Sequence, residues 1–110
     1  MKEILTANVF KSIGHPIRIK IILILYNKRE VSVSEISQLL NVDQPIVSLH
    51  LSILKKSNVL NVRKEGKMSY YSIGDSSVKQ AVNLIFHSRN IYLSEERVKE
   101  INSFLKKSLC

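Results

Sequence analysis

A chain of 110 residues, 45% hydrophobic and 24% charged, has enough apolar material for one core and little for a second. Seventeen Lys and Arg against nine Asp and Glu give a formal charge of +8 and a pI near 9.8, which points to a polyanionic partner, nucleic acid first among them. No run approaches the roughly 18 apolar residues of a membrane span. The richest, 17–25, is broken by Arg18 and Lys20, and the N-terminus lacks the layout of a signal peptide, so a cytoplasmic protein with no membrane partner is expected. One cysteine, Cys110, excludes an intrachain disulfide and a Cys-rich zinc site.

Leu5, Val9 and Ile13, four apart with Phe10 beside them, predict a helix over 3–13. Gly14 suits a left-handed residue that ends it, and Pro16 suits the first turn of the next. Residues 17–21 alternate apolar and basic side chains like a strand, but the apolar run continues through Tyr26. That is too long and too continuous for a half-buried strand, so 16–28 is read as a buried helix. Ser32 and Glu35 have capping-box spacing and start a short helix at Val33, with Ile36, Leu39 and Leu40 inward. Asn41-Val42 connects it to a further helix with Asp43 as N-cap and Pro45 in its first turn.

Val47, Leu51 and Leu54 line one face of that helix, which Asn58 ends. Residues 60–64 form a first hairpin strand, Glu65-Gly66-Lys67 the turn, and 68–73 the return. Beyond Asp75, the residues Val78, Val82, Ile85 and Phe86 make a helical stripe to about 89. Ser94 caps a last helix with Val98, Ile101, Leu105 and Leu109 inward and Glu95 and Glu96 near its positive end. The pattern leaves open whether 90–93 separates two helices or one runs on. A terminal helix this apolar needs a surface to pack on, and a second copy of a small chain supplies one.

Two short helices and a basic hairpin over 32–73 follow the order in which a winged helix-turn-helix meets double-stranded DNA. If Val47, Leu51 and Leu54 face the core, Gln44, Pro45, Ser48, Leu49 and Ser52 lie on the opposite face. Gln44 suits adenine, Ser48 a base or a phosphate, and Leu49 only an apolar contact such as a thymine methyl; packing within the domain is the competing reading for Leu49. His50, one residue from the core stripe, either joins the DNA-facing set or hydrogen-bonds within the motif. Lys55, Lys56, Arg63, Lys64 and Lys67 face only Glu65 between positions 44 and 74, a cluster suited to phosphates. Tyr70 and Tyr71 alternate in direction and are read as packing the hairpin on the core. No nucleophile or carboxylate pairs with His15, His50 or His87, and no Gly-rich phosphate loop occurs, so no catalytic residue and no enzyme are expected.

Three stretches, FKSIGHPIRIKIILIL, VSVSEISQLLNVDQPIVSLHLSILKKSNVL and VRKEGKMSYYSI, carry a His-Pro-x-Arg start, a Val-Ser-x-His-Leu helix and a Gly-x-x-x-Tyr-Tyr return strand. Together, over about 9–73, they resemble the ArsR/SmtB family of winged-helix transcriptional repressors. The resemblance implies a mainly α fold with a small β-hairpin and a single winged helix-turn-helix domain over 1–110. Its recognition helix would span about 44–57, its wing about 60–73 and its C-terminal dimerisation helices about 76–109. It further implies a homodimer, paired through the first and last helices, on a palindromic operator.

Leu49 departs from the family, which usually places Arg, Gln or Lys there. So do the metal positions. Ser32-Val33-Ser34-Glu35 stands where relatives carry a Cys-x-Cys-type motif. Asp75 matches a ligand of the second family site, but Ser77 replaces the nearby His and His87 is out of register. The expectation is an ArsR-type repressor that uses no cofactor or metal. The alternatives are a winged-helix protein-interaction module or antirepressor, or a metal-released repressor with a non-standard site.

Overall fold

The computed structural model describes residues 2–88. Five helices and a small sheet follow in the order α1 (Lys2–Ile13), α2 (Pro16–Lys28), β1 (Val31–Ser32), α3 (Val33–Leu40), α4 (Gln44–Lys56), β2 (Leu60–Glu65), β3 (Met68–Ile73) and α5 (Ser76–Ser88). The expected Ser94-capped helix, its inward residues, the 76–109 span beyond Ser88 and Cys110 lie outside the described residues.

α2 is the axis of the core. Ile21 to Leu25 are all buried, five consecutive side chains, because α1, α3, α4, β3 and α5 pack around them. A helix whose middle is enclosed on every side shows no apolar stripe there, which is why its sequence also reads as a strand. His15 caps it: Nδ1 accepts the Ile17 N–H at 3.1 Å, and Pro16 occupies the first turn, where no N–H is needed. Gly14 does not adopt the expected left-handed conformation. Positive φ among the described residues falls at Arg29, Asn41, Asn58 and Gly66 instead. A Cβ at Gly14 would sit 3.1 Å from the Phe10 carbonyl oxygen, so the position is constrained by crowding at the α1 end.

The α3–turn–α4 unit is held by local polar chemistry as well as by its apolar face. Ser32 Oγ accepts the Glu35 N–H at 3.2 Å and starts α3, as the capping-box spacing predicts. Asn41, left-handed at φ 54°, closes α3 with its N–H on the Gln38 and Ser37 carbonyls. Ser37 Oγ then donates to the Val42 carbonyl and fixes the turn. Asp43 occupies the N-cap of α4, but its side chain makes no capping bond; only its carbonyl enters the helix ladder. Val47, Leu51 and Leu54 of α4 are completely buried against Ile36 and Leu40 of α3 and the α2 core.

The sheet has three antiparallel strands in the order β1-β3-β2, one more than the expected hairpin. β1 adds only two residues, Val31 opposite Tyr71 and Ser32 opposite Tyr70. Glu65 is the last residue of β2, paired with Met68, so the turn is Gly66-Lys67 alone. Gly66 takes φ 60°, which a side chain would disfavour. The α5 stripe runs off the core along its length: Val78 is buried and Val82 packs on the cluster, but Ile85 is 50% exposed.

Candidate nucleic-acid interface

α4 presents two opposed faces. Opposite the buried stripe of Val47, Leu51 and Leu54, the side chains of Gln44, Pro45, Ser48, Leu49 and Ser52 are all exposed, as helical spacing requires. Ile46, which sequence reasoning passed over, joins them at 45% exposure beside Leu49 at 61%. Leu49 therefore does not pack within the described domain. The exposed apolar pair is bordered by polar groups that can donate or accept hydrogen bonds, a surface able to meet both base edges and thymine methyls.

His50 does not share this surface. It is 9% exposed, and its ring lies 4.6 Å from that of His15, tilted by 38°. Burial, and after it the charges of His15 and Arg18, pushes the His50 pKa below its usual value, which favours the neutral ring. Its Nδ1 has no hydrogen-bond partner among the described residues. His50 therefore joins α4 to the start of α2, and its inclusion among the DNA-facing residues is corrected. One position, about 100° around the helix, separates it from the exposed face.

The basic cluster also changes when its partners are seen. Lys55 and Lys56 are exposed in the last turn of α4, and Lys64 and Lys67 on the wing; none has an ion-pair partner among the described residues. Arg63 differs. Its Nε and one terminal nitrogen reach the two Glu30 carboxylate oxygens at 3.2 and 2.8 Å, and the other terminal nitrogen reaches Glu65 at 2.7 Å. The guanidinium passes 4.8 Å over the Tyr70 ring on its way from β2 across β3 to Glu30. Hydrogen bonding to Arg63 holds the Glu30 carboxyl below the usual carboxylate range, and the two carboxylates hold Arg63 more firmly protonated. The five cations counted against Glu65 alone are thus four lysines and one arginine engaged by both Glu65 and Glu30. Glu30 lies outside the window that sequence reasoning counted, and only the unforeseen β1 brings it to the sheet. Tyr71 packs against the core, while Tyr70 serves as the floor under Arg63.

The family's metal positions hold other work here. Ser32 and Glu35 form the cap of α3. Asp75 Oδ1 accepts hydrogen bonds from Ser77 N and Ser77 Oγ, which starts α5. Among the described residues, no three His, Cys, Asp or Glu come close enough to hold a metal ion.

A helix with one fully buried and one exposed face, set on a partner helix and flanked by a basic hairpin, defines a winged helix-turn-helix of the kind that regulators use on DNA. Comparison with known proteins gives the family. The description of bacterial regulatory proteins of the arsR family matches residues 15–62. The chain is 38% identical over 79 residues to the uncharacterized HTH-type transcriptional regulator MJ1325 of Methanocaldococcus jannaschii, covering 72% of this chain and 89% of that protein. It is 36% identical over 86 residues to a homolog of the cadmium resistance transcriptional regulatory protein CadC of Staphylococcus aureus, covering 77% and 71%. The structure of the transcriptional repressor PagR of Bacillus anthracis superposes with a TM-score of 0.71 at 33% identity, covering 77% of this chain and 97% of that one. The chain belongs to the arsR family of transcriptional regulators.

Proposed function

We propose that the protein is a homodimeric transcriptional repressor that binds a palindromic operator in double-stranded DNA and is not released by metal. The observation that carries this is the exposed face of α4, rigidly backed by Val47, Leu51 and Leu54 and bordered by four lysines without ion-pair partners among the described residues. In this reading α4 enters the major groove. Gln44 pairs with adenine, Ser48 and Ser52 reach base edges or phosphates, Pro45 packs at the entry, and Leu49 with Ile46 covers thymine methyls. Lys55, Lys56, Lys64 and Lys67 hold the phosphate backbone, and Arg63 joins them only by leaving Glu30.

The dimer rests on α1 and α5. Phe10 is 71% exposed on α1, and Leu84 and Ile85 are 70% and 50% exposed on α5, an apolar surface suited to a second copy. No helix of the described residues is long and apolar enough to cross a membrane, which accords with action in the cytoplasm. The replacement of family thiolates by a helix cap at Ser32, and the use of Asp75 to start α5, support release by something other than metal.

One observation favours a second reading: Leu49 and Ile46 together would also suit an apolar partner protein, as in a winged-helix interaction module. Selection of duplexes from a random pool by the purified protein separates the two. Enrichment of a two-fold symmetric sequence is expected, and recovery of no preferred sequence would favour the protein partner.

A further inference from the structure

Beside the DNA-facing surface, with which it shares Lys56, α1, the first turn of α2, the end of α4 and the entry to α5 line an open cleft of about 510 Å³. Three cations from three helices line it: Lys11 of α1, Arg18 of α2 and Lys56 of α4. Against them stands one carboxylate, Asp75, whose Oδ1 is already engaged by Ser77. Arg18 Nε is buried and has no hydrogen-bond partner among the described residues. Like charges converging from separate elements repel one another unless an anion joins them. A buried guanidinium N–H without an acceptor is likewise a costly arrangement that a bound anion or water relieves. The same charge balance disfavours a metal cation.

We propose that this cleft is a binding site for a small molecule bearing an oxyanion, a phosphate ester or a carboxylate, held by Lys11, Arg18 and Lys56, the last of which it takes from the DNA backbone. The side-chain amides of Asn8 and Asn58 add donors at the wall, and the second Asp75 oxygen offers an acceptor, so a hydroxyl beside the oxyanion fits. The site touches α1 and the start of α5, and it reaches the C-terminal end of the reading helix. Arg18 also acts on His50 through its charge, which extends the link to the middle of α4. A ligand here is therefore placed to govern DNA affinity, a consequence that rests on the DNA-binding reading, whereas the site itself does not.

The test is a titration of the isotopically labelled full chain with glycerol 3-phosphate, followed by amide NMR at constant ionic strength with chloride as control. Saturable shifts are expected at residues 8–12, 18, 56–58 and 75. Lys11→Gln and Arg18→Gln should each weaken binding roughly tenfold, the loss expected for one charge-assisted hydrogen bond. Lys11 is exposed, so its variant keeps the test valid if Arg18→Gln fails to fold. Shifts that stay linear, or that chloride reproduces, would overturn the proposal. So would a response of the same amides to a short DNA duplex but not to glycerol 3-phosphate, which assigns the cations to the DNA backbone. None of these failures bears on whether α4 reads DNA.

Discussion

Replacing Glu30 by Gln should strengthen binding to DNA although Glu30 itself touches none. In the free protein Arg63 has Nε and both terminal nitrogens engaged by carboxylates, two of those contacts coming from Glu30. The cations around the reading face without such partners among the described residues are Lys55, Lys56, Lys64 and Lys67. Each phosphate neutralised adds about 0.9 to the slope of log affinity against log salt, so four lysines give a slope of about −3.6 per protomer. The amide introduced by Glu30→Gln would keep the shape and one acceptor oxygen but lose the charge, leaving Glu65 as the one carboxylate on Arg63. Arg63 then becomes a fifth phosphate ligand, and the slope should steepen to about −4.5 per protomer. Fluorescence anisotropy with a labelled duplex over a salt series measures it, with Glu30→Gln/Arg63→Gln as the control that restores the shallower slope. An unchanged slope in Glu30→Gln, or a steeper slope that survives in the double variant, would refute the argument.

Leu51→Ala should destabilise the fold by about 2–5 kcal/mol in chemical denaturation, since the side chain is completely buried. Leu49→Ala, two residues away and 61% exposed, should stay within about 0.5 kcal/mol. If Leu49 covers a thymine methyl, replacing that thymine by uracil in the selected duplex should cost about 0.8 kcal/mol, roughly fourfold in affinity. Leu49→Ala should abolish the difference between the two duplexes. Stability should also fall with acid through His50. Its folded pKa is lowered from 6.5, so the unfolded chain takes up the proton first; the full contribution is present above 6.5 and is lost as pH drops below it. Thermal melts over that range should drop more steeply for the native chain than for His50→Gln.

Much of this architecture is legible in the sequence because local rules and tertiary packing agree there. The Ser32–Glu35 spacing, Pro45 in a first turn and the Val47, Leu51 and Leu54 stripe each specify the same helix-turn-helix, and each is realised. What escaped depends on contacts distant in sequence. α2 carries no periodic signal because its middle, Lys20 to Leu25, is buried all round, and β1 is two residues long, too short to leave a pattern. Without β1 nothing placed Glu30 beside Arg63, 33 residues later, and Glu65 stood as the one acid near the cluster. His50 sits at the edge between two faces, where spacing does not decide burial and the His15 ring does. Gly14 and Asp43 carry residue types favoured at caps, yet the one is fixed by crowding and the other uses only its backbone.

We propose a division of labour in which α4 reads bases and the lysines hold the backbone. It is tested most directly by comparing two double variants on the selected duplex and on an unrelated one. Gln44→Ala/Ser48→Ala should lower the ratio of specific to non-specific affinity while leaving the salt slope unchanged. Lys64→Ala/Lys67→Ala should flatten the slope by about 1.8 per protomer and weaken both duplexes alike. A specificity ratio unmoved by the first pair, or a slope unmoved by the second, would contradict the account.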